Sequence, residues 1–261
     1  MYLMTNNTFD LIVIGTGTAA STAAHNCRAE GWDVVVIDSD FFGGTCALRG
    51  CDPKKVLVEA AKIVDSSRRH EGNGVKGSKE IHINWPELMS FKKTFTDPFP
   101  MRREKGYIDA GIKTFHGHAN FVDKNSVNIK NVDKPDSDKN NVILRGKYIL
   151  IATGAKPVKL GILGEENIIT SDEFLSFEGD NLPNEIVFVG GGYISFEFAH
   201  IAARAGAKAT ILHRGKQFLE HFDPDLVTQL VDRSKDIGIE VRLLTTVKEI
   251  KKLEGGRLQV K

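Results

Sequence analysis

The sequence predicts an α/β protein that contains two copies of one pattern: a strand, a glycine turn, a helix and a second strand. The strands are short apolar runs rich in Val and Ile, and each turn contains at least two glycines. The first copy covers residues 11–37 and the second covers 186–212. The predicted strands are, in chain order, 11–14, 34–37, 186–189 and 209–212. This order predicts a duplicated α/β unit and not a solenoid repeat.

Composition excludes several classes of protein. The 261 residues suffice for one large domain or two of ordinary size, and 41% hydrophobic with 26% charged residues is typical of a soluble globular protein. The net charge of +1 argues against nucleic acid or an anionic membrane as the main partner. No apolar run approaches the roughly 18 residues of a membrane span, and residues 1–8 resemble no signal peptide. Three cysteines fit a reducing compartment, so we expect a cytoplasmic protein.

The segment between the two copies is expected to contain a helical stretch followed by a small β-meander. Pro98 and Pro100 should interrupt the helical stretch, which covers about 86–110. Two polar segments, Glu71 to Lys79 and Asn131 to Asn141, are expected to be solvated loops. We place a domain boundary near Pro157, giving domains 1–157 and 158–261. The expected strands are 112–115, 126–129, 142–144 and an apolar strand 147–152 that ends before Thr153 and Gly154.

The first glycine turn has the features of a Rossmann-like dinucleotide site. Gly15 permits a tight turn, Gly17 lets the backbone approach a pyrophosphate, and Ala20 is an accepted variant at the third position. Asp38 follows the second strand, where a carboxylate accepts hydrogen bonds from a ribose hydroxyl. The alternative for Asp38 is an ordinary turn residue.

The second glycine turn predicts another dinucleotide site, with a different preference. Gly190 and Gly192 occupy the turn, which continues into Tyr193 and Ile194. No acid follows the second strand of this copy. Its place is taken by His213 and Arg214, and a cation there suits a 2′-phosphate, hence NADP over NAD. Alternatively, Arg214 is a solvated surface charge.

Cys46 and Cys51 lie just after the first dinucleotide unit, which suggests a disulfide that is made and broken during turnover. Five residues of ideal helix rise about 7.5 Å, whereas a disulfide tolerates Cα separations only up to about 7 Å. If the two pair, their segment is therefore not regular helix, and a helix should follow from Lys54 to about Arg69. The alternatives are two inert thiols or part of a metal site, although three cysteines without a second cluster disfavour zinc.

Two dinucleotide sites and a dithiol in one chain suggest an electron route from a nicotinamide through a flavin to a disulfide. At this point the sequence resembles the flavoprotein disulfide reductases, and it is most similar to the glutathione reductase branch. The resemblance extends over essentially all 261 residues. It is carried by the segment from Gly44 and Thr45 through Cys46 and Cys51 to Lys55, by Thr153-Gly154, and by residues 190–197.

The resemblance implies a role for each matching residue. Cys46 would attack the substrate disulfide, and Cys51 would lie against FAD as a thiolate. Lys54 would approach the flavin and pair with Glu197, and Tyr193 would cover the nicotinamide pocket. The cofactor contacts would come from Gly15, Gly17, Ala20, Asp38, Gly44, Thr45, Thr153, Gly154, Gly190, Gly192, Tyr193, Ile194, Glu197, His213 and Arg214.

Three departures from the family pattern shape the expectation. The family's C-terminal interface domain and its His-Pro-Thr segment are missing, so we expect this chain to be an N-terminal portion of a homodimeric enzyme with an incomplete NAD(P) domain. His25 stands where glutathione reductases tend to carry Arg, which weakens glutathione as substrate. Glu220 stands where a second phosphate-binding Arg is frequent, which weakens NADP specificity.

Alternatives remain within and outside this family. A dihydrolipoyl dehydrogenase or mercuric reductase would be a related enzyme, although Lys55 argues mildly against both. A truncated cofactor-binding module without turnover would be a different class. Cys27, on the first helix, is expected to be a small core residue.

Overall fold

The computed structural model describes residues 7–130 and 142–261. The predicted loop Asn131 to Asn141 and most of the polar N-terminal segment lie outside these residues. The chain divides into two compact units. One combines the residues up to Asp52 with Thr94–Lys156, and the other combines Pro53–Lys93 with Pro157–Lys261. The expected division at 157 into an FAD domain and an NAD(P) domain concerns cofactors, and it stays a prediction.

Eight α-helices and eleven strands form within the described residues, together with short 3₁₀ turns. The helices are α1 Thr18–Ala29, α2 Gly44–Arg49, α3 Cys51–Arg69, α4 Trp85–Thr96, α5 Phe99–Asp109, α6 Ser171–Leu175, α7 Tyr193–Arg204 and α8 Pro224–Asp236. The strands are β1 Thr8–Ile14, β2 Val34–Asp38, β3 Lys113–His116, β4 His118–Asp123, β5 Ser126–Lys130, β6 Val142–Ile151, β7 Glu185–Val189, β8 Lys208–Leu212, β9 Glu240–Arg242, β10 Ile250–Lys252 and β11 Leu258–Val260.

In the first unit, one sheet has the strand order β3-β2-β1-β6-β5-β4. The four strands β3, β2, β1 and β6 run parallel, while β4, β5 and β6 form an antiparallel meander. Ile12, Val13 and residues 34–37 are fully buried, because both faces of these strands are covered. One face packs against helices α1 and α5. The other packs against the meander, in a core that contains Val127 and Leu144. The predicted α/β class, the first Rossmann-like unit and the small β-meander are confirmed.

The strands of the meander differ from the prediction in one respect. Residues 142–144 and 147–152 were expected to be separate strands, but they form the single strand β6. Gly146 explains the continuity, because a Cβ at this position would lie 2.9 Å from the Ile12 side chain on β1. The glycine lets β6 pass close to β1 and so permits pairing along the whole strand. β4 was not predicted, since its residues alternate weakly in polarity.

The second unit contains the second copy of the pattern. Strands β7, β8 and β9 pair in parallel, with Val187 opposite Thr210 and Ile211 opposite Val241. Helix α8 was not predicted, although its start signal is present in the sequence. The Asp223 carboxylate accepts hydrogen bonds from the amides of Asp225 and Leu226, and Pro224 occupies the first turn.

Helix α3 begins at Cys51, three residues before the predicted start at Lys54. Pro53 lies in the first turn of α3, where a proline is tolerated because amide hydrogens there have no partner within the helix. Gly50 separates α3 from α2 with φ −145° and ψ −116°. The two cysteines therefore lie on different helices with a break between them, as a pairing geometry requires.

We find no helix in residues 7–130 and 142–261 that is both long and apolar enough to span a bilayer.

Candidate functional site

The turn after β1 admits only glycine at its first position. Gly15 has φ +112°, and a Cβ there would lie 2.2 Å from the carbonyl oxygen of Ala152. Its amide donates to the carbonyl of Ile37, with an N···O distance of 2.7 Å. The turn is therefore pressed between the carboxyl ends of β2 and β6, where parallel α/β sheets bind their ligands.

The same turn packs directly against the start of α2. A Cβ on Gly44, which has φ +69°, would lie 2.5 Å from the Cα of Gly17. Because neither glycine has a side chain, the two backbones pass close together. We call this surface of backbone atoms, which a side chain would cover, the glycine cradle. This contact joins the glycine turn to the helix that carries Cys46.

The N-terminus of α1 has the character of an anion site. Gly17 is the N-cap residue, no described side chain caps the helix, and its first turn carries no acid. Ala20 is fully buried, which lets α1 lie close to the sheet. Free amides and the positive end of the helix dipole fit a pyrophosphate.

Asp38 is held by two hydrogen bonds at the end of β2. The Thr16 hydroxyl donates to Oδ2 with an O···O distance of 2.6 Å, and the Asp40 amide donates to Oδ1 at 3.1 Å. Thr16 is fully buried and was not predicted as a site residue. The feature of the sequence that could have identified Thr16 is its hydroxyl side chain between Gly15 and Gly17.

Cys46 and Cys51 are both free thiols. Cys51 is exposed and begins α3, whereas Cys46 is half-buried on α2. A hydrogen bond with Cys51 is the largest cause that raises the pKa of Cys46, followed by burial and the negative charges of Cys51 and Asp52. The pair is thus close enough to interact. No cluster of three or more His, Cys, Asp or Glu that could bind a metal occurs in the described residues.

Other sequence-predicted residues of the first unit take simpler positions. Thr45 follows Gly44 on α2 and is exposed, and Thr153 and Gly154 are exposed just after β6. Gly154 has φ +75°, which favours glycine.

The Nδ1 of His25, on α1, lies 2.8 Å from the Ser21 carbonyl, and the His25 ring stacks on Tyr107 with 5.1 Å between the ring centroids. Cys27 is half-buried beside the core of this unit, in agreement with the prediction.

The glycine turn of the second unit repeats the geometry of the first. Gly190 has φ +122°, and its amide donates to the Leu212 carbonyl at 2.8 Å. Gly192 caps α7, and a Cβ on it would meet no described atom within 4 Å, so this side of the turn is open. Tyr193 and Ile194 start α7 and are 57% and 42% exposed.

His213 and Arg214 follow β8 in different environments. Arg214 is exposed, whereas the His213 side chain is only 18% exposed and packs beside Gly191 and Phe218. The buried Nε2 of His213 has no hydrogen-bond partner among the described residues, and its distance from Glu220 Oε1 is 3.8 Å. A buried nitrogen without a partner suits a ligand that supplies one.

Lys54 and Glu197 form the ion pair that the resemblance implied. The distance from Lys54 Nζ to Glu197 Oε1 is 2.6 Å, and both side chains are largely buried. Glu197 Oε2 is buried and accepts no hydrogen bond within the described part of the chain. This carboxylate therefore has one oxygen satisfied by α3 and one available to a donor.

A second group of charged side chains joins α3 to α7 and α8, and no motif in the sequence indicates it. Asp65 accepts hydrogen bonds from Arg204 at 2.8 Å and Arg233 at 2.9 Å. Burial acts to raise the pKa of Asp65, but the charges of Arg204, Arg233 and Arg69 outweigh it and hold the pKa below its usual value. These partners lie 139 and 168 residues away in the chain, which no local pattern records.

His200 completes this group on α7. Its Nε2 lies 2.9 Å from Ser234 Oγ, and its Nδ1 lies 3.0 Å from Arg204. Since the Ser234 hydroxyl donates to the Leu230 carbonyl, His200 Nε2 donates to Ser234. Arg204 can only donate to Nδ1, so this nitrogen carries no proton and the ring is neutral. Burial, then the charges of Arg204 and Arg233, lower the pKa of His200 to about 4.

A cavity of about 440 Å³ opens beside these helices in the second unit. Tyr193 and Glu197 line it, together with apolar side chains that include Val58, Phe196 and Phe222. Its size lies within the range of small-molecule sites. Tyr193, which was predicted to cover the nicotinamide pocket, and Glu197, the predicted partner of Lys54, thus lie on the wall of one cavity.

Comparison with known proteins agrees with this geometry. The family model "Pyridine nucleotide-disulphide oxidoreductase" matches residues 9–261. A glutathione reductase of Burkholderia cepacia is 33% identical over 95% of this chain and 52% of its own length. A dihydrolipoyl dehydrogenase of Mycoplasma genitalium is 30% identical over 89% of this chain and 50% of its own length.

A solved structure is similar to nearly the whole chain. The HOCl-induced flavoprotein disulfide reductase RclA from Escherichia coli is 27% identical, with a TM-score of 0.81 over 97% of this chain and 52% of RclA. The chain spans about half the length of the relatives it matches. The match over nearly all of its residues, with two glycine turns and a dithiol in order, shows that the chain belongs to the pyridine nucleotide-disulphide oxidoreductase family.

Proposed function

We propose that this chain is the cofactor-binding and dithiol-bearing part of an FAD-dependent, NADPH-dependent disulfide reductase similar to glutathione reductase. One observation carries the proposal. The helix with Cys46 starts at Gly44, whose backbone packs against Gly17 in a dinucleotide turn. Family membership and the flavoprotein character of RclA agree with it.

The residues present fit FAD in the first unit. The glycine cradle and the uncapped start of α1 would hold the pyrophosphate, and Asp38 would accept from a ribose hydroxyl. When bound, FAD would accept hydride from a reduced nicotinamide and deliver an electron pair to a disulfide. We assign Lys54 the positive charge that favours the reduced cofactor, with Glu197 as its counter-ion.

The second unit fits NADPH. Gly190 and Gly192 leave the start of α7 open for a pyrophosphate, and Arg214 is exposed where a 2′-phosphate would lie. Tyr193 and the free oxygen of Glu197 are suited to the nicotinamide end. The absence of a carboxylate after β8 and the exposed charge of Arg214 favour NADP over NAD, whereas Glu220 opposes it.

The thiols would perform the exchange with the substrate. The Cys46 thiolate attacks one sulfur of the substrate disulfide, forms a mixed disulfide and releases the other sulfur as a thiolate. Cys51 then attacks the Cys46 sulfur and releases the second thiol, which leaves a Cys46–Cys51 disulfide to be reduced by the next electron pair. Because the pKa of Cys46 is raised, its proton must be removed before the attack.

Two steps test the proposal. The purified 261-residue chain should show the absorbance of bound flavin, and anaerobic NADPH should then produce a long-wavelength band from a thiolate beside the oxidised ring. Cys51→Ser should remove this band, whereas Cys46→Ser should keep flavin reduction and, in the whole natural protein, lose disulfide turnover. Cys27→Ser is the matched control and should change neither. A chain without flavin, or one with intact thiols but no band, would favour a non-catalytic module.

We propose a small-molecule or small-protein disulfide as the substrate. His25 is engaged with Ser21 and Tyr107, so it does not replace an arginine as an exposed cation. Turnover assays of the whole natural protein with glutathione disulfide and with lipoamide in parallel would distinguish a glutathione reductase from a dihydrolipoyl dehydrogenase.

A further inference from the structure

The hydroxyl of Thr16 joins the two halves of the first-unit site. It donates to Asp38 Oδ2 at 2.6 Å and accepts from the Gly43 amide at 3.1 Å. Both bonding directions of the hydroxyl are therefore used, one toward β2 and one toward the residue before α2. The side chain is fully buried, so water does not compete for these bonds.

The backbone of Thr16 is fixed as well. It lies between Gly15, which is pressed against Ala152, and Gly17, which faces Gly44. The Tyr107 hydroxyl is 3.4 Å from the Thr16 carbonyl. The packing of both neighbouring glycines thus fixes the backbone of Thr16, and with it the direction in which its hydroxyl lies.

Asp38 needs such a partner to act on a ribose. A carboxylate at the end of a strand rotates about χ1 and χ2, and its affinity for a hydroxyl depends on the orientation that it keeps. The Thr16 hydroxyl and the Asp40 amide each hold one oxygen and leave the remaining lone pairs for a ligand. At the same time, the bond to Gly43 fixes the backbone from which the Cys46 helix starts.

We propose that Thr16 is a positioning residue that orients Asp38 toward the adenosine ribose of FAD and links this carboxylate to the start of the dithiol helix. The inference rests on the proposed binding of FAD. Thr16 itself touches no part of the cofactor in this scheme, because it acts through Asp38 and Gly43.

The test is the affinity of the flavin-free chain for FAD, measured by calorimetry. Thr16→Val keeps the shape and removes the hydroxyl, and it should weaken FAD binding about tenfold or more, the usual effect of losing a hydrogen bond to a charged group. Thr16→Ser should restore affinity. Thr22→Val, the same change at an exposed position of α1, is the matched control and should bind as the wild type does.

A double-mutant cycle separates positioning from general damage to the fold. In an Asp38→Ala background, Thr16→Val should have a clearly smaller effect, because no side-chain oxygen remains for the Thr16 hydroxyl to orient. FMN lacks the adenosine ribose, so its weaker binding should be the same in the wild type and in Thr16→Val. Thermal unfolding of each flavin-free variant shows whether it is folded, and Thr16→Ala replaces Thr16→Val if the latter is not.

Two results would overturn the inference alone: FAD affinity unchanged in Thr16→Val, or effects of Thr16 and Asp38 that simply add. Failure of the wild-type chain to bind FAD would contradict the proposed function and, with it, this inference.

Discussion

Cys46 and Cys51 have different surroundings although they belong to one reactive pair. Cys51 is exposed, whereas the hydrogen bond with Cys51, then burial, raises the pKa of Cys46 above its ordinary value of 9.0. In the reduced pair Cys46 is therefore a thiol at neutral pH, and its reactivity should continue to rise with pH in the alkaline range. A nearby base is needed to activate it at physiological pH.

Cys51→Ala should make Cys46 more reactive, because it removes the largest cause of the raised pKa. We expect faster alkylation of Cys46 by iodoacetamide at mildly alkaline pH, followed by mass spectrometry of the peptide that contains it. Cys27→Ala is the control, since Cys27 lies on α1 and should leave the rate unchanged. An equal or slower rate in Cys51→Ala would show that the bond between the thiols does not set the reactivity of Cys46.

Arg214→Glu should shift the cofactor preference toward NADH. An exposed cation after β8 attracts a 2′-phosphate, and the reversed charge repels it, so we expect the NADPH to NADH preference to fall about tenfold or more. Binding of each cofactor to the purified chain measures the ratio. Lys208→Glu makes the same charge change at the opposite end of β8 and should leave the ratio of NADPH to NADH binding unaltered. An unchanged ratio in Arg214→Glu would remove Arg214 from the phosphate site.

The residues that sequence could identify are those with a fixed place in a motif. Gly15, Gly190 and the two cysteines were identified from spacing, and the Lys54–Glu197 pair came from the resemblance. Thr16 and Asp65 were missed, because their roles come from contacts with Asp38, Arg204 and Arg233 that only folding creates. The assigned catalytic and cofactor roles remain predictions.

At the scale of elements, the contact between the glycine turn and α2 can be tested by one methyl group. Gly44→Ala would place a Cβ 2.5 Å from the Cα of Gly17 at φ +69°. Overpacking against backbone together with the left-handed conformation should destabilise the first unit by about 3 kcal/mol. Urea unfolding measures this change.

Gly31→Ala is the matched control for this element. Gly31 has φ +85°, but a Cβ on it would meet nothing within 4 Å, so only the conformational penalty of about 1 kcal/mol applies. The difference between the two variants gives the contribution of the close approach alone. Equal losses would mean that α2 does not press on the glycine turn.

The strands and helices that were predicted correctly are those with strong apolar periods and glycine ends, such as β1, β2, β7 and α7. The errors have physical reasons. A glycine in β6 marks a close approach to β1 and not a break, and α3 starts before its proline because a first turn tolerates one. Helix α8 shows a start signal, Asp223 followed by Pro224, that was overlooked.

At the scale of the whole molecule, each compact unit contains one of the two tryptophans. Trp32 belongs to the first unit, and Trp85 belongs to the second, where it is 1% exposed and donates to the Phe177 carbonyl at 3.0 Å. In a Trp32→Phe background, tryptophan fluorescence therefore reports unfolding of the second unit alone. This allows its stability to be followed as a function of pH.

The second unit should lose stability as the pH falls from about 6.5 toward about 4, because His200 is buried between cationic groups. Its pKa is about 4 in the folded chain and about 6.5 in the unfolded chain. Between these values only the unfolded chain binds the proton, so the free energy of unfolding decreases as the pH falls. Asp65, whose pKa is depressed, adds a further loss below about pH 4, when its carboxylate is protonated and Arg204 and Arg233 lose their partner.

His200→Gln isolates the contribution of the imidazole to this slope. A glutamine amide can donate to Ser234 and accept from Arg204 as the neutral ring does, but it does not titrate. We expect a flatter dependence of the urea midpoint of Trp85 fluorescence between about pH 6.5 and 4 than in the parent chain, whatever the change in stability at neutral pH. His70→Gln is the matched control, since His70 is exposed at the end of α3 and should leave the slope intact. If the urea midpoint depends on pH in the same way in His200→Gln and its parent, His200 is not the group that takes up the proton on unfolding. A neutral His200 would then not be what stabilises the contact of α3, α7 and α8 in this pH range.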